Sequence, residues 1–89
     1  RSVKRGGHAH FHLQQKMFCL RGKVDIYLES SWGSEEVELR PGGSGLWLGC
    51  LVWRGFWLAP GSLLVVTCDR RYESNDYIYS KNDWRKYFD

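Results

Sequence analysis

The stretch RGGHAHFHLQQ, residues 5–15, sets His8, His10 and His12 at every second position. On an extended chain such residues share one face. Three imidazoles there have three possible uses: metal ligation, proton transfer, or simple occupancy of a half-exposed strand. A metal asks for three or more good donors. Besides the histidines the stretch offers Gln15, whose neutral amide is a weak ligand for a divalent ion. His12 has the right parity, but it stands about 6.8 Å along a strand from His10 at ~3.4 Å per residue. Two inward-facing imidazoles cost desolvation that a function must offset. Because histidine titrates near neutrality, proton transfer is the better use of such a pair. Neighbouring Arg and Lys residues would lower a histidine pKa and keep a neutral base available.

The elements that must position these groups read as strands. In KVDIYLE, Val24, Ile26 and Leu28 alternate with Lys23, Asp25 and Glu29, a period of two. SSWGS follows as a turn, and EEVEL as a short strand with Val37 and Leu39 inward. PGGSG, residues 41–45, is a strong turn, since proline fixes φ and glycine accepts positive φ. LWLGCLVW is apolar almost throughout and is expected to be buried on both faces or closed against a second sheet. SLLVVTC, after the LAPGS turn, is a strand rich in β-branched residues. Only the tail SKNDWRKYF reads as helix, capped by Ser80 or Asn82, with Trp84 and Phe88 four apart on one face. Short strands punctuated by turns predict an all-β sandwich or barrel with one short C-terminal helix.

Composition limits the rest. The 89 residues are 43% hydrophobic and 16% aromatic, a globular composition for one small domain spanning residues 1–89. A domain of this size is marginal alone, so a partner subunit is expected, and the first strands of the fold are expected to precede Arg1. The net charge of +3 comes without a basic run or helix, so nothing points to nucleic acid, while a mild positive excess suits an anionic small ligand. Cys19, Cys50 and Cys68 are odd in number and lack a CxxC spacing. They are expected as buried free thiols of a cytoplasmic protein. The apolar stretches are too short to span a membrane as helices, and no signal peptide is visible.

One pattern chooses among β folds. Gly7, His8 and His10, with Gln15 where an acidic residue would stand and Gly22 six residues on, resemble the first histidine segment of a cupin jelly roll. The second segment, GGSGLWLGCLVWR, would put Arg54 where the last metal-binding histidine belongs. A guanidinium is a fixed cation and cannot ligate a metal. The expectation is a cupin without metal.

RGGHAH at residues 5–10, followed by Gln15 and KMFCLRG, then GLWLGCLVW, then PGSLLVVTCDRRYESNDYI, resemble in order the blocks of the nucleotide-sugar 3,4-ketoisomerases of the WxcM-like cupin family, whose fold is similar to that of RmlC-type epimerases. The resemblance runs from Arg5 to about Phe88. Two departures stand out: Phe11 where the family usually has lysine, and Gly49–Cys50 in place of a Pro-Pro pair. A tyrosine and an arginine that the family carries upstream of the signature would precede Arg1.

The resemblance implies a dTDP-linked 4-keto-6-deoxyhexose as substrate in deoxysugar and polysaccharide biosynthesis, a cytoplasmic homodimer, and no cofactor. The keto group moves from C4 to C3 through an enediol. His8 and His10 would be catalytic, one as base and the other relaying or supplying the C4 proton. Arg5 would hold the pyrophosphate or a developing oxyanion. Gln15 would orient a histidine or bond a sugar hydroxyl, and Trp53 and Arg54 would face the same pocket. The rival readings are a non-catalytic sugar-binding cupin and a metal-dependent cupin enzyme. A 3,5-epimerase would want a His–Asp pair and a tyrosine that the sequence does not place.

Overall fold

The computed structural model describes the backbone of residues 3–88 and the side chains of residues 7–88. Alternation makes strands throughout. β1 (Val3–His10), β2 (Gln15–Arg21), β3 (Val24–Ser30), β4 (Gly33–Leu39), β5 (Leu46–Leu48), β6 (Trp53–Leu58), β7 (Leu63–Cys68) and β8 (Tyr77–Ile78) precede a single short helix, α1 (Lys81–Arg85). A 3-10 turn at Ser74–Asp76 leads into β8. The strands form a five-stranded sheet in the order β4-β3-β6-β1-β8 and a three-stranded sheet in the order β5-β2-β7. All the pairings are antiparallel. The all-β class and the C-terminal helix expected from the sequence are what the structure has.

The period-two pattern sorts side chains between two cores. Met17, Cys19, Val24, Ile26, Leu28, Leu39 and Leu48 meet as one buried cluster, with Val37 and Phe56 packed against it. On the other face of the larger sheet, Ala9, Trp53, Ile78 and Trp84 form a second cluster, covered by α1. Ser80 caps that helix, its hydroxyl accepting the Asp83 N–H. Trp84 packs edge-on to Phe88 at 4.9 Å, and its indole N–H donates to the Leu51 carbonyl at 2.7 Å. The helix is only five residues long, so its place comes from Trp84 rather than from intrinsic helicity.

Two sequence expectations need correction. LWLGCLVW is not one buried strand. It breaks after Leu48, turns through residues 49–52 with Leu51 at φ 60°, and restarts as β6. Trp47 within it is 56% exposed. β7 forms where SLLVVTC was expected as a strand, and at the edge of the three-stranded sheet it leaves Leu63 and Val66 exposed. Of the cysteines only Cys19 is buried; Cys50 and Cys68 are exposed, although all three are free.

Candidate functional site

Polar groups gather at one end of the space between the sheets. Along β2 the inward residues run Gln15, Met17, Cys19, and along β6 they run Arg54, Phe56, so each strand enters the interior with a polar residue and continues apolar. β1 contributes its last residues. Gly7 sits at φ +79° where the register with β6 shifts, and His8 then pairs with Arg54. A bulge of this kind re-aims the side chains that follow it, and its positive φ favours glycine. The outcome is that His8 and His10 face one another, Nε2 to Nε2 at 3.1 Å, with rings edge-on.

His10 is fully buried, whereas His8 retains partial exposure. Burial, and then the nearby Arg54 cation, lower the His10 pKa from 6.5 to about 4, with Asp76 acting in the opposite direction. His10 is therefore neutral at pH 7. Arg54 is also fully buried. Its guanidinium donates to the Gln15 side-chain carbonyl and twice to the Val52 carbonyl, at 2.9 and 3.2 Å. Desolvation lowers its pKa to about 10, which still leaves it charged at neutral pH. The Gln15 amide in turn donates to Cys68 Sγ at 3.6 Å. Among the described residues the hydrogen-bond acceptors of Arg54 are neutral, and a buried cation so held keeps its field available to an anionic ligand.

Two contributors escaped the sequence reading. The first is Asp76, buried in the 3-10 turn. Its carboxylate accepts the N–H groups of His12 at 2.8 Å and Leu13 at 3.0 Å, and its Oδ2 lies 3.6 Å from His10 Nδ1. The second is an aromatic group around the histidines. Tyr77 lies 4.2 Å from the His10 ring and 5.0 Å from the His8 ring, and it stacks on Tyr79 at 5.3 Å while Tyr72 meets it edge-on. Burial raises the Tyr77 pKa, with help from Tyr79 and Tyr72, so its hydroxyl remains a proton donor. Tyr72 and Tyr79 are largely exposed and offer flat apolar faces to a sugar or base.

Of the residues singled out in the sequence, His8, His10, Gln15 and Arg54 come together. Trp53 does not join them. It alternates with Arg54 on β6 and packs on the opposite face, 5.8 Å from Trp84, so the expectation of a shared pocket is corrected. The Arg5 backbone pairs with Phe56 in β1, but its side chain lies outside the described residues. His12 leaves the strand. β1 ends at His10, and His12 is exposed with its N–H held by Asp76. Among the described residues no group of three His, Cys, Asp or Glu side chains could hold a metal ion. The arrangement brings together a pair of imidazoles for moving protons, His10 of them neutral, a buried cation for stabilising an oxyanion, and phenols at the rim.

The same arrangement of chain occurs in known proteins. A family model described as "FdtA: WxcM-like, C-terminal" matches residues 1–89. A curated relative, TDP-4-oxo-6-deoxy-alpha-D-glucose-3,4-oxoisomerase of Aneurinibacillus thermoaerophilus, is 30% identical over 84 residues, covering 93% of this chain and 60% of its own length. Among solved structures, a histidine-to-asparagine mutant of the 3,4-ketoisomerase QdtA from Thermoanaerobacterium thermosaccharolyticum, in complex with TDP-4-keto-6-deoxyglucose, superposes with a TM-score of 0.90 at 31% identity. That match covers 96% of this chain and 62% of the other. WlaRA, a TDP-fucose-3,4-ketoisomerase from Campylobacter jejuni, shares the fold at a TM-score of 0.94 and 19% identity, covering 100% of this chain and 67% of its own. The chain thus spans about three fifths of the length of the curated relative it matches. The chain belongs to the family described as FdtA: WxcM-like, C-terminal.

Proposed function

We propose that the protein containing this chain is a sugar 3,4-ketoisomerase acting on a TDP-linked 4-keto-6-deoxyhexose, and that the histidine pair moves the protons. The observation that carries the reading is the His8–His10 contact beside the buried Arg54 cation, in a chain of a family whose similar members are named as TDP-sugar 3,4-ketoisomerases.

The 4-keto group acidifies the C3–H bond. One imidazole takes that proton, and the bond's electrons become the C3=C4 double bond of an enediolate with its negative charge on O4. The O3 hydroxyl then yields its proton as C3=O forms. C4 accepts a proton and O4 becomes a hydroxyl, so every proton lost is returned. The carbonyl supplies the electron sink, which removes the need for a cofactor. The donor set also favours a metal-free reaction: Gln15 is a neutral amide and Arg54 a cation, and neither strengthens a site of two imidazoles. Arg54 stabilises the developing oxyanion by its charge. Gln15 holds Arg54 in place, the Tyr72, Tyr77 and Tyr79 faces bind the substrate, and Arg5 engages the diphosphate. Homodimer formation and a cytoplasmic location, where the three thiols remain reduced, complete the proposal.

The test is kinetic. His8→Asn and His10→Asn variants of the full-length protein should each lose at least about a hundredfold in kcat on TDP-4-keto-6-deoxyglucose, since a positioned acid or base contributes ~10²–10⁴. TDP binding should change little. Wild-type rates in both variants would remove the histidines from the mechanism.

A further inference from the structure

His10 Nδ1 is a buried polar atom without a hydrogen bond, and the group it faces is Asp76 Oδ2 at 3.6 Å. Asp76 is not a loose surface acid. It is 9% exposed. Its backbone carbonyl accepts the Phe11 N–H at 3.0 Å, and its two carboxylate oxygens accept the next two N–H groups, of His12 and Leu13. The carboxylate therefore clips the chain that leaves β1 immediately after His10. It cannot rotate away from the imidazole without breaking both bonds.

A ring nitrogen aimed at a fixed carboxylate must carry its proton, because a lone pair there would meet another lone pair. A neutral imidazole has only one N–H. With the proton on Nδ1, the Nε2 of His10 is an acceptor, and the contact at 3.1 Å requires His8 to donate from its own Nε2. Both tautomers of the pair then follow from one carboxylate.

We infer that Asp76 is a positioning residue that holds His10 in its Nδ1–H form, so that His10 Nε2 is the resting proton acceptor and His8 Nε2–H the donor of the pair. This deepens the isomerase reading and rests on it for its kinetic consequence. When a proton enters the pair, it can pass from His8 Nε2 to His10 Nε2, leaving His8 neutral and His10 an imidazolium whose Nδ1–H faces the Asp76 carboxylate. The return transfer restores the starting state, and no proton is gained or lost. The carboxylate's shift of the His10 pKa is upward, in the direction that makes such a transfer less costly.

Asp76→Asn tests the assignment. The side-chain amide keeps one acceptor and replaces the other with an NH₂ donor. With the oxygen toward His12 N–H, the donor faces His10 Nδ1 and favours the opposite tautomer. Histidine ¹⁵N shifts and long-range ¹H–¹⁵N couplings of the full-length protein at pH 7.5 should show His10 protonated on Nδ1 in the wild type and on Nε2 in the variant. In the same variant kcat should fall at least about a hundredfold while KM stays within about threefold; a comparable substitution in a serine protease that inverts a histidine tautomer costs ~10⁴. Asp69→Asn is the control. Its carboxylate clips the neighbouring Gln14 N–H at 2.9 Å in the same loop and touches no imidazole, so neither readout should move. Nε2–H in wild-type His10 overturns the inference even if Asp76→Asn does not fold, and so does an unchanged tautomer or unchanged kcat in a folded variant. An inactive wild type with the expected tautomer would instead sink the isomerase reading alone.

Discussion

Acidification from pH 7.5 to 5 should destabilise the fold through His10 in particular. Its pKa falls from 6.5 to about 4 in the folded state, chiefly because the ring is desolvated and secondly because Arg54 lies close. The unfolded chain therefore binds a proton near pH 6.5 that the folded chain refuses until about pH 4. Stability contributed by this group is complete above pH 6.5 and is lost as the pH falls through the window between the two values. At pH 5 the unfolded imidazole is almost wholly protonated while the folded one is mostly neutral, which corresponds to a loss of about 2 kcal/mol relative to pH 7.5. For a domain whose whole stability is ~5–15 kcal/mol, that is a visible fraction. Urea unfolding midpoints should be measured at half-unit steps from pH 7.5 to 5 for the wild type and for His10→Asn. Carboxylates such as Glu29 and Asp69, whose pKa values are held down by Lys81 and by the Gln14 N–H, contribute equally to both proteins. The wild-type curve should fall about 2 kcal/mol further than the variant's over that range. Parallel curves would mean that His10 is solvated, and the account of a neutral, buried imidazole would be wrong.

Other substitutions probe the scaffold. Gln15→Leu removes the amide carbonyl that accepts from the buried Arg54 guanidinium. It should cost about 2 kcal/mol in denaturant unfolding, the usual scale for a lost hydrogen bond to a buried charge; an unchanged midpoint would place Arg54 in contact with water. Trp84→Ala empties the centre of the cluster formed with Ala9, Trp53 and Ile78. A loss of about 3–5 kcal/mol is expected, read as a large fall in Tm, and a change below about 1 kcal/mol would show that α1 is not part of the folded unit.

Much of the site was legible in the sequence because it obeys the period of two. His8 and His10 share a face, Val24, Ile26 and Leu28 share the apolar core, and Trp84 marks the buried side of the last helix. Alternation carries no information about where a strand ends, however. His12 looked like a third inward histidine, but the strand stops at His10 because the next N–H groups bond Asp76 instead of a neighbouring strand. Asp76 itself lies 64 residues from the backbone it clips. The stretch YESNDYI contains it, yet no local pattern distinguishes an acid aimed at a histidine from an acid in a turn. That is why the His–Asp pair, with Tyr77 beside it, came only from the fold. LWLGCLVW misled for a related reason: hydrophobicity alone does not show the turn at residues 49–52, which needs Leu51 at positive φ. Trp53 and Arg54 were placed in one pocket, though adjacent strand residues must point to opposite faces.

The most direct test of the central claim is proton NMR of the full-length protein with TDP-4-keto-6-deoxyglucose in D₂O containing EDTA. A new 3-keto sugar carrying deuterium at C4 should form at an undiminished rate without metal. Activity that vanishes with EDTA and returns with a divalent ion would contradict the metal-free histidine pair. Deuterium at C5 would mark an epimerase, and no exchange under any condition would leave a sugar-binding domain in place of an enzyme.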